Sequence, residues 1–215
     1  MQTKFFRYTA LFLCLLLCLS SSIISMESKA ATFDKKKAKK NITATYKKVP
    51  NGVLAIYKNK NNYAVKLTGK MRFLDADGKD IEVVKTVNNC LGAKSTSAIF
   101  YQSPYDYNGN IVNYNSYKGS FSVAKTKYKS FSKKLITSYD IQIVSTNFSV
   151  VNTSGKELEN IYSSIVFYDS NGKILGCQGK YLNCYAKNST DMFTLDHDMK
   201  WGQPAKAKIY VNWAY

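Results

Sequence analysis

From Tyr63 to Phe73 the chain alternates strictly. Tyr63, Val65, Leu67, Met71 and Phe73 fall on one side with Gly69 between them, and Ala64, Lys66, Thr68, Lys70 and Arg72 fall on the other. A period of two over this length marks a strand with one buried face. Asp75-Ala76-Asp77-Gly78-Lys79 then supplies a tight turn, because Asp and Gly tolerate the backbone angles a hairpin needs. Ile81-Glu82-Val83-Val84 is the returning strand. The same sentence is written again 94 residues later. Ile161, Ile165 and Phe167 repeat the buried side, Asp169-Ser170-Asn171-Gly172-Lys173 the turn, and Leu175-Gly176-Cys177-Gln178 the return.

The second half of the chain therefore repeats the first. Leu67–Thr96 lies on Ile161–Thr190 without a gap, and Phe73/Phe167, Asp75/Asp169, Gly78/Gly172, Lys79/Lys173, Asn89/Asn183, Cys90/Cys184, Ser95/Ser189 and Thr96/Thr190 are identical. A repeat found first guards against a wrong fold assignment. Earlier in each copy come apolar, β-branched stretches at Gly52–Tyr57 and Ile141–Val151, each followed by a polar turn. Each copy closes on another apolar stretch, Gly119–Ala124 and Ala207–Trp213, now at an offset of 88, so the first copy holds six extra residues before its last strand. No window of a dozen residues has helical periodicity. Short strands divided by turns predict an all-β sandwich or barrel. The expected layout is a leader at 1–30, a lysine-rich tail at 31–40, repeat 1 at 41–128 and repeat 2 at 129–215.

Phe73-Leu74-Asp75-Ala76-Asp77-Gly78-Lys79 and Phe167-Tyr168-Asp169-Ser170-Asn171-Gly172-Lys173 resemble the strand–turn core of FxLYD-type domains. The likeness covers about 45 residues per copy. It implies two tandem immunoglobulin-like antiparallel β-sandwich modules of the kind found in secreted and surface-bound prokaryotic proteins, and it implies no catalytic residues. The chain departs from the family pattern after the second strand. There Ala93-Lys94-Ser95-Thr96 and Asn188-Ser189-Thr190 stand where a Pro-Gly turn is expected.

Lys4 and Arg7 precede the apolar run from Leu11 to Leu19, and Ser28-Lys29-Ala30 ends the segment with small residues. That is the layout of a secretory signal peptide cleaved after Ala30, with Ala31 as the near alternative and an uncleaved anchor as the other. No later segment is long and apolar enough to span a bilayer. The expectation is an exported chain, secreted or held at the cell surface.

Removing Lys4, Arg7, Glu27 and Lys29 with the leader lowers the formal charge from +17 to +15. Most of it lies in the first half. Residues 41–128 carry +8 and residues 129–215 carry +3. Outside a cell, the matching partners are anionic envelope polymers and acidic glycans. Nucleic acid fits poorly, because Arg72 is the only arginine after the leader, and arginine supplies the bidentate grip on phosphate and guanine. Lys66, Lys70 and Arg72 form the candidate polyanion face. Repeat 2 has Asn160, Ser164 and Val166 there, so the two copies present different surfaces.

The segment holding Tyr101, Tyr105, Tyr107, Asn108, Asn110, Tyr114 and Tyr117 is the candidate ligand-binding loop. Tyrosine with asparagine suits adaptable recognition, since rigid amphipathic rings stand beside hydrogen-bonding amides. A plain hairpin around Asn108-Gly109 is the alternative. Trp201 and Trp213 read as core or rim residues. Asp75-x-Asp77-Gly78 lacks the late bidentate glutamate of a helix–loop–helix calcium site and reads as a turn. No spacing suggests zinc or another cofactor. Cys90, Cys177 and Cys184 survive cleavage. They fit buried free thiols, or a Cys177–Cys184 bridge if Gly179 turns the chain. His197, the sole histidine, reads as a surface-loop residue, and a thiol hydrolase built on it and a cysteine is the least favoured function. The leading expectation is a non-enzymatic binding module. A structural protein whose modules pair with an envelope protein or with themselves is the alternative, motivated by Val166, Tyr168 and any unpaired cysteine.

Overall fold

A computed structural model describes residues 32–197, 200 and 202–215. The expected signal peptide at 1–30 and Trp201 lie outside the described residues. Asp34–Tyr215 forms one compact unit, and it is nearly all β. The first six strands are β1 (Ile42–Val49), β2 (Gly52–Asn59), β3 (Val65–Leu74), β4 (Asp80–Leu91), β5 (Thr96–Gln102) and β6 (Ser116–Lys125). The second six are β7 (Leu135–Ile141), β8 (Ser145–Asn152), β9 (Ile161–Tyr168), β10 (Ile174–Tyr181), β11 (Thr190–Asp196) and β12 (Lys206–Ala214). They build four antiparallel sheets, and the order in one half recurs in the other: β1-β2-β5 answers to β7-β8-β11, and β4-β3-β6 to β10-β9-β12.

The residues shared by the copies explain the recurrence. Asp75 accepts from the Lys79 N–H at 2.8 Å and Asp169 from the Lys173 N–H at 2.8 Å, while Gly78 and Gly172 take φ of 78° and 80°. These are hairpin turns closed by an aspartate, as expected. Lys94 and Asn188 occupy the same left-handed position with φ of 50° and 61°. Beside them Ser95 Oγ donates to the Gly92 carbonyl and Ser189 Oγ to the Ala186 carbonyl, each at 2.6 Å. The same serine-braced turn thus recurs in both halves.

Some elements differ from expectation. β3 begins at Val65, and Tyr63 lies before it, 42% exposed. The lysine-rich segment is not a free tail. Lys35–Lys40 is a short helix, α1, capped by the Asp34 side chain on the Lys37 N–H. Ala38 is buried, and Asn61 Nδ2 donates to its carbonyl at 3.0 Å. Six residues are too few for periodicity to reveal. Strands β1 and β7 were hidden for a related reason. Both are edge strands with mostly exposed side chains, so alternation is faint.

Within the first half, Tyr57, Ile99 and Tyr101 face Leu67, Met71 and Phe73, all fully or nearly fully buried. Gly69 is required where it stands, because a Cβ would lie 2.1 Å from the Tyr101 hydroxyl and 2.8 Å from that of Tyr57. In the second half, Phe148, Ile165, Phe167, Leu175 and Leu195 fill the equivalent space.

A third core joins the halves. Val49, Leu54 and Ala98 on the outer face of β1-β2-β5 pack on Val166 and Cys177 of β10-β9-β12, with Ile56, Phe100, Tyr168 and Tyr210 around them. The four sheets therefore stack in layers, and the two inner sheets are buried on both faces. This is why Gly-Val-Leu-Ala-Ile-Tyr in β2 and Ile-Val-Phe-Tyr in β9 are apolar without alternation. Val166 and Tyr168, the residues that suggested pairing of the modules with a partner or with themselves, pack on the chain's own first half.

Polar groups lock this junction. A bulge in β12 between Val211 and Trp213 turns Asn212 toward the first half. Its Oδ1 accepts from the Ala98 N–H and from Ser97 Oγ, both at 2.8 Å, and its Nδ2 donates to Ser164 Oγ at 2.9 Å. Asn88 Nδ2 donates to the Asn212 carbonyl at 2.7 Å, and Tyr128 stacks on Tyr215 with ring centroids 4.0 Å apart. The outermost faces lack the apolar complement of the junction. Register places Arg72 and Val83 where β9 and β10 have Val166 and Cys177. It places Asn147 and Thr194 where β2 and β5 have Leu54 and Phe100.

Candidate functional sites

The predicted cationic face is the outer surface of β4-β3-β6. Strand alternation puts Lys66, Lys70 and Arg72 on it, and register adds two residues that sequence reading missed. Lys85 lies directly across from Lys70, and Lys118 directly across from Arg72. Like charges directly opposed on neighbouring strands destabilise a sheet. Asp80 offsets part of this. Arg72 grips it in a fork, Nε to Oδ1 at 2.7 Å and the second guanidinium nitrogen to Oδ2 at 3.1 Å. That fork, with Lys70 and Lys118 nearby, holds the Asp80 carboxyl below its usual range. The Arg72 guanidinium is thus engaged within the chain, while Lys85 and Lys118 are exposed and Lys66 and Lys70 half-buried on the same surface. The cross-strand register was the missing signal, since β4 could not be aligned on β3 from spacing alone.

The tyrosine/asparagine segment divides. Tyr101 is not in a loop but in β5, 1% exposed, with its hydroxyl 3.4 Å from that of Tyr57. The expectation that it contacts ligand is corrected: alternation along β5 aims it inward. Tyr114 is half-buried, its ring 4.8 Å from that of Phe73 and its hydroxyl donating to the Gly52 carbonyl. Tyr117 lies in β6, beside Tyr114. Tyr105, Tyr107, Asn108 and Asn110 remain exposed on a turn that Asp106 closes by accepting from the Asn108 and Asn110 N–H groups. Those bonds lower the Asp106 carboxyl below its ordinary value. Only Tyr105 and Tyr107 therefore keep rings free for a partner.

The three thiols are free and buried. Burial raises all three above the ordinary thiol value, and Cys177 is pushed up to about 12. They are held protonated at neutral pH, which is the reverse of an activated nucleophile. His197 is not a plain surface residue. Its Nε2 lies 2.7 Å from Thr146 Oγ1, its ring packs edge-on to Phe167, and its Nδ1 is buried without a partner. Neither nitrogen bonds to a cysteine, although His197 and Cys177 line one cavity.

That cavity lies where the halves meet, and its volume is about 500 Å³. Asn51, Phe100 and Gln102 come from the first half, and Tyr162, Cys177, Gln178, Asp196 and His197 from the second. Sequence reading missed it because the β1–β2 turn and the ends of β10 and β11 meet only through the stacking of the two inner sheets. No helix among the described residues is long and apolar enough to cross a membrane.

No protein-family model matches the chain, and no curated protein does. Among solved structures the chain is similar to a transglutaminase from red sea bream, at 11% identity and a TM-score of 0.28. The match covers 82% of this chain and 30% of that one, a likeness too slight to bear on fold or activity.

Proposed function

We propose that this chain is an exported, non-enzymatic binding module of a bacterial cell surface or extracellular space, made of two FxLYD-type immunoglobulin-like repeats. Its β4-β3-β6 face contacts an anionic envelope polymer. One observation carries this reading: Lys70 opposes Lys85 and Arg72 opposes Lys118 across adjacent strands, with Asp80 paired to Arg72 and felt by Lys70 and Lys118. A sheet that keeps like charges face to face gives up stability that a bound polyanion restores.

The test is retention of the mature chain on bacterial envelopes and on a dextran sulfate resin across a salt series. Wild type is expected to elute progressively as salt rises, because exposed charges are screened within about 10 Å at 0.1 M ionic strength. A Lys66/Lys70/Lys85/Lys118→Ala variant is expected to bind at least tenfold more weakly at low salt. Equal retention of the two proteins would refute the assignment.

A further inference from the structure

We propose that the cavity between the two halves is a binding site for a neutral sugar unit, separate from the cationic face. Three observations point there. The first is where unsatisfied polar groups lie. Three buried side-chain polar atoms among the described residues lack a hydrogen-bond partner: Tyr46 Oη, Asn51 Oδ1 and His197 Nδ1. Two of the three belong to residues lining this cavity. Leaving such an atom unpaired costs about 1–3 kcal/mol, so a native chain that does it twice in one place needs a reason.

Each orphan has a defined role. Asn51 Nδ2 is spent on the Cys177 carbonyl at 2.9 Å, which turns the amide oxygen free as an acceptor. His197 Nε2 is engaged with Thr146 Oγ1. If the threonine hydroxyl donates, Nδ1 carries the ring proton and is a free donor. The Gln102 and Gln178 amides on the rim add both kinds of group. Two unpaired polar atoms beside the cavity and two exposed amides on its rim match a ring of hydroxyls, each of which donates and accepts.

The second observation is the apolar wall. Phe100, Tyr162 and Phe167 line the same space, and Tyr162 is held by stacking on Trp213 at 4.6 Å between centroids. Fixed aromatic surface beside a few placed polar groups is the usual make-up of a small-molecule site, and about 500 Å³ lies within the usual size range. The third observation is charge. In a chain of net +17, no lysine or arginine is among the described residues that line the cavity, and the one carboxylate among them is Asp196. An anion is therefore disfavoured here, in contrast to the β4-β3-β6 face.

The experiment is ligand-observed saturation-transfer NMR on the mature chain with glucose, mannose, N-acetylglucosamine and cellobiose. Glucosamine and glucuronate serve as cationic and anionic controls. At least one neutral sugar is expected to show transfer, and glucuronate none. Gln102 and Gln178 are exposed, so Gln102→Trp and Gln178→Trp fill the mouth without disturbing the core. Each is expected to weaken the signal at least tenfold while the thermal melt stays put. His197→Phe keeps an aromatic ring and removes the unpaired nitrogen, and it is expected to weaken binding as well. The Lys66/Lys70/Lys85/Lys118→Ala variant should bind the sugar normally, which separates this site from the polyanion reading. No transfer to any neutral sugar, transfer to glucosamine alone, or transfer that survives both tryptophan variants would overturn the proposal.

Discussion

Replacing Asn212 by alanine removes the polar lock between the halves, and the structure sets the size of the effect. Asn212 is 1% exposed and makes three side-chain hydrogen bonds, to Ser97, Ala98 and Ser164. Alanine leaves the Ala98 N–H of the edge strand β5 facing protein with no acceptor. A buried donor stranded in this way costs about 1–3 kcal/mol. Ser97 Oγ keeps Asn88 Nδ2 at 3.3 Å, so it is only partly orphaned, and Ser164 Oγ loses its donor. A small void adds to the loss. The total expected is about 3 kcal/mol, among the larger effects of a single substitution. The assay is urea unfolding followed by tryptophan fluorescence and circular dichroism in parallel. Trp213 is next in the chain to Asn212 and reports on the same strand. Asn147→Ala is the control, an exposed amide on the outer face of β8, expected to change stability by less than about 0.5 kcal/mol. A loss below about 1 kcal/mol in Asn212→Ala would refute the idea that this amide locks the junction.

Val166→Arg places in β9 the residue that β3 carries at the matching position. It forces an unpaired charge into the apolar core shared by the halves, and either a cost above about 3 kcal/mol or two separate unfolding transitions is expected. A single, unshifted transition would mean that the shared core contributes little. Cys177 gives a pH prediction. Its thiol is raised by burial from 9.0 to about 12 in the folded chain. A raised acid binds its proton more tightly when folded, so its contribution is whole below pH 9 and is lost as pH climbs toward 12. Denaturant midpoints should fall across that window, and less so in Cys177→Ala. A thiol reagent at pH 8 should label none of the three cysteines before unfolding, and rapid labelling of the native chain would contradict their burial.

The repeat, the all-β class and the two Asp/Gly hairpins could be read from the sequence, because each rests on neighbours in the chain. Alternation from Val65 to Phe73 is a local property of one strand, and the turn after it depends on Asp75 and on the φ of Gly78, a few residues apart. The turn role of Asp75 followed by the same local reasoning, whereas the choice between free thiols and a Cys177–Cys184 bridge was settled only by the fold. What joins distant strands was not legible in this way. Tyr101 looked like a loop residue until β5 aimed it inward, and Lys85 and Lys118 joined the cationic face only when register was known. The stacking of β1-β2-β5 on β10-β9-β12 left one trace, the unbroken apolar runs of β2 and β9, which signal burial on both faces. That trace says a face is covered but not by what. Which surface meets which depends on shape and on the sum of many weak contacts across the whole chain. So the sequence determined the strongly patterned strands and their turns, though not the exposed edge strands β1 and β7. Only the tertiary structure decided that the halves share a core, that Asn212 locks it, and that Asn51 and His197 meet around one cavity.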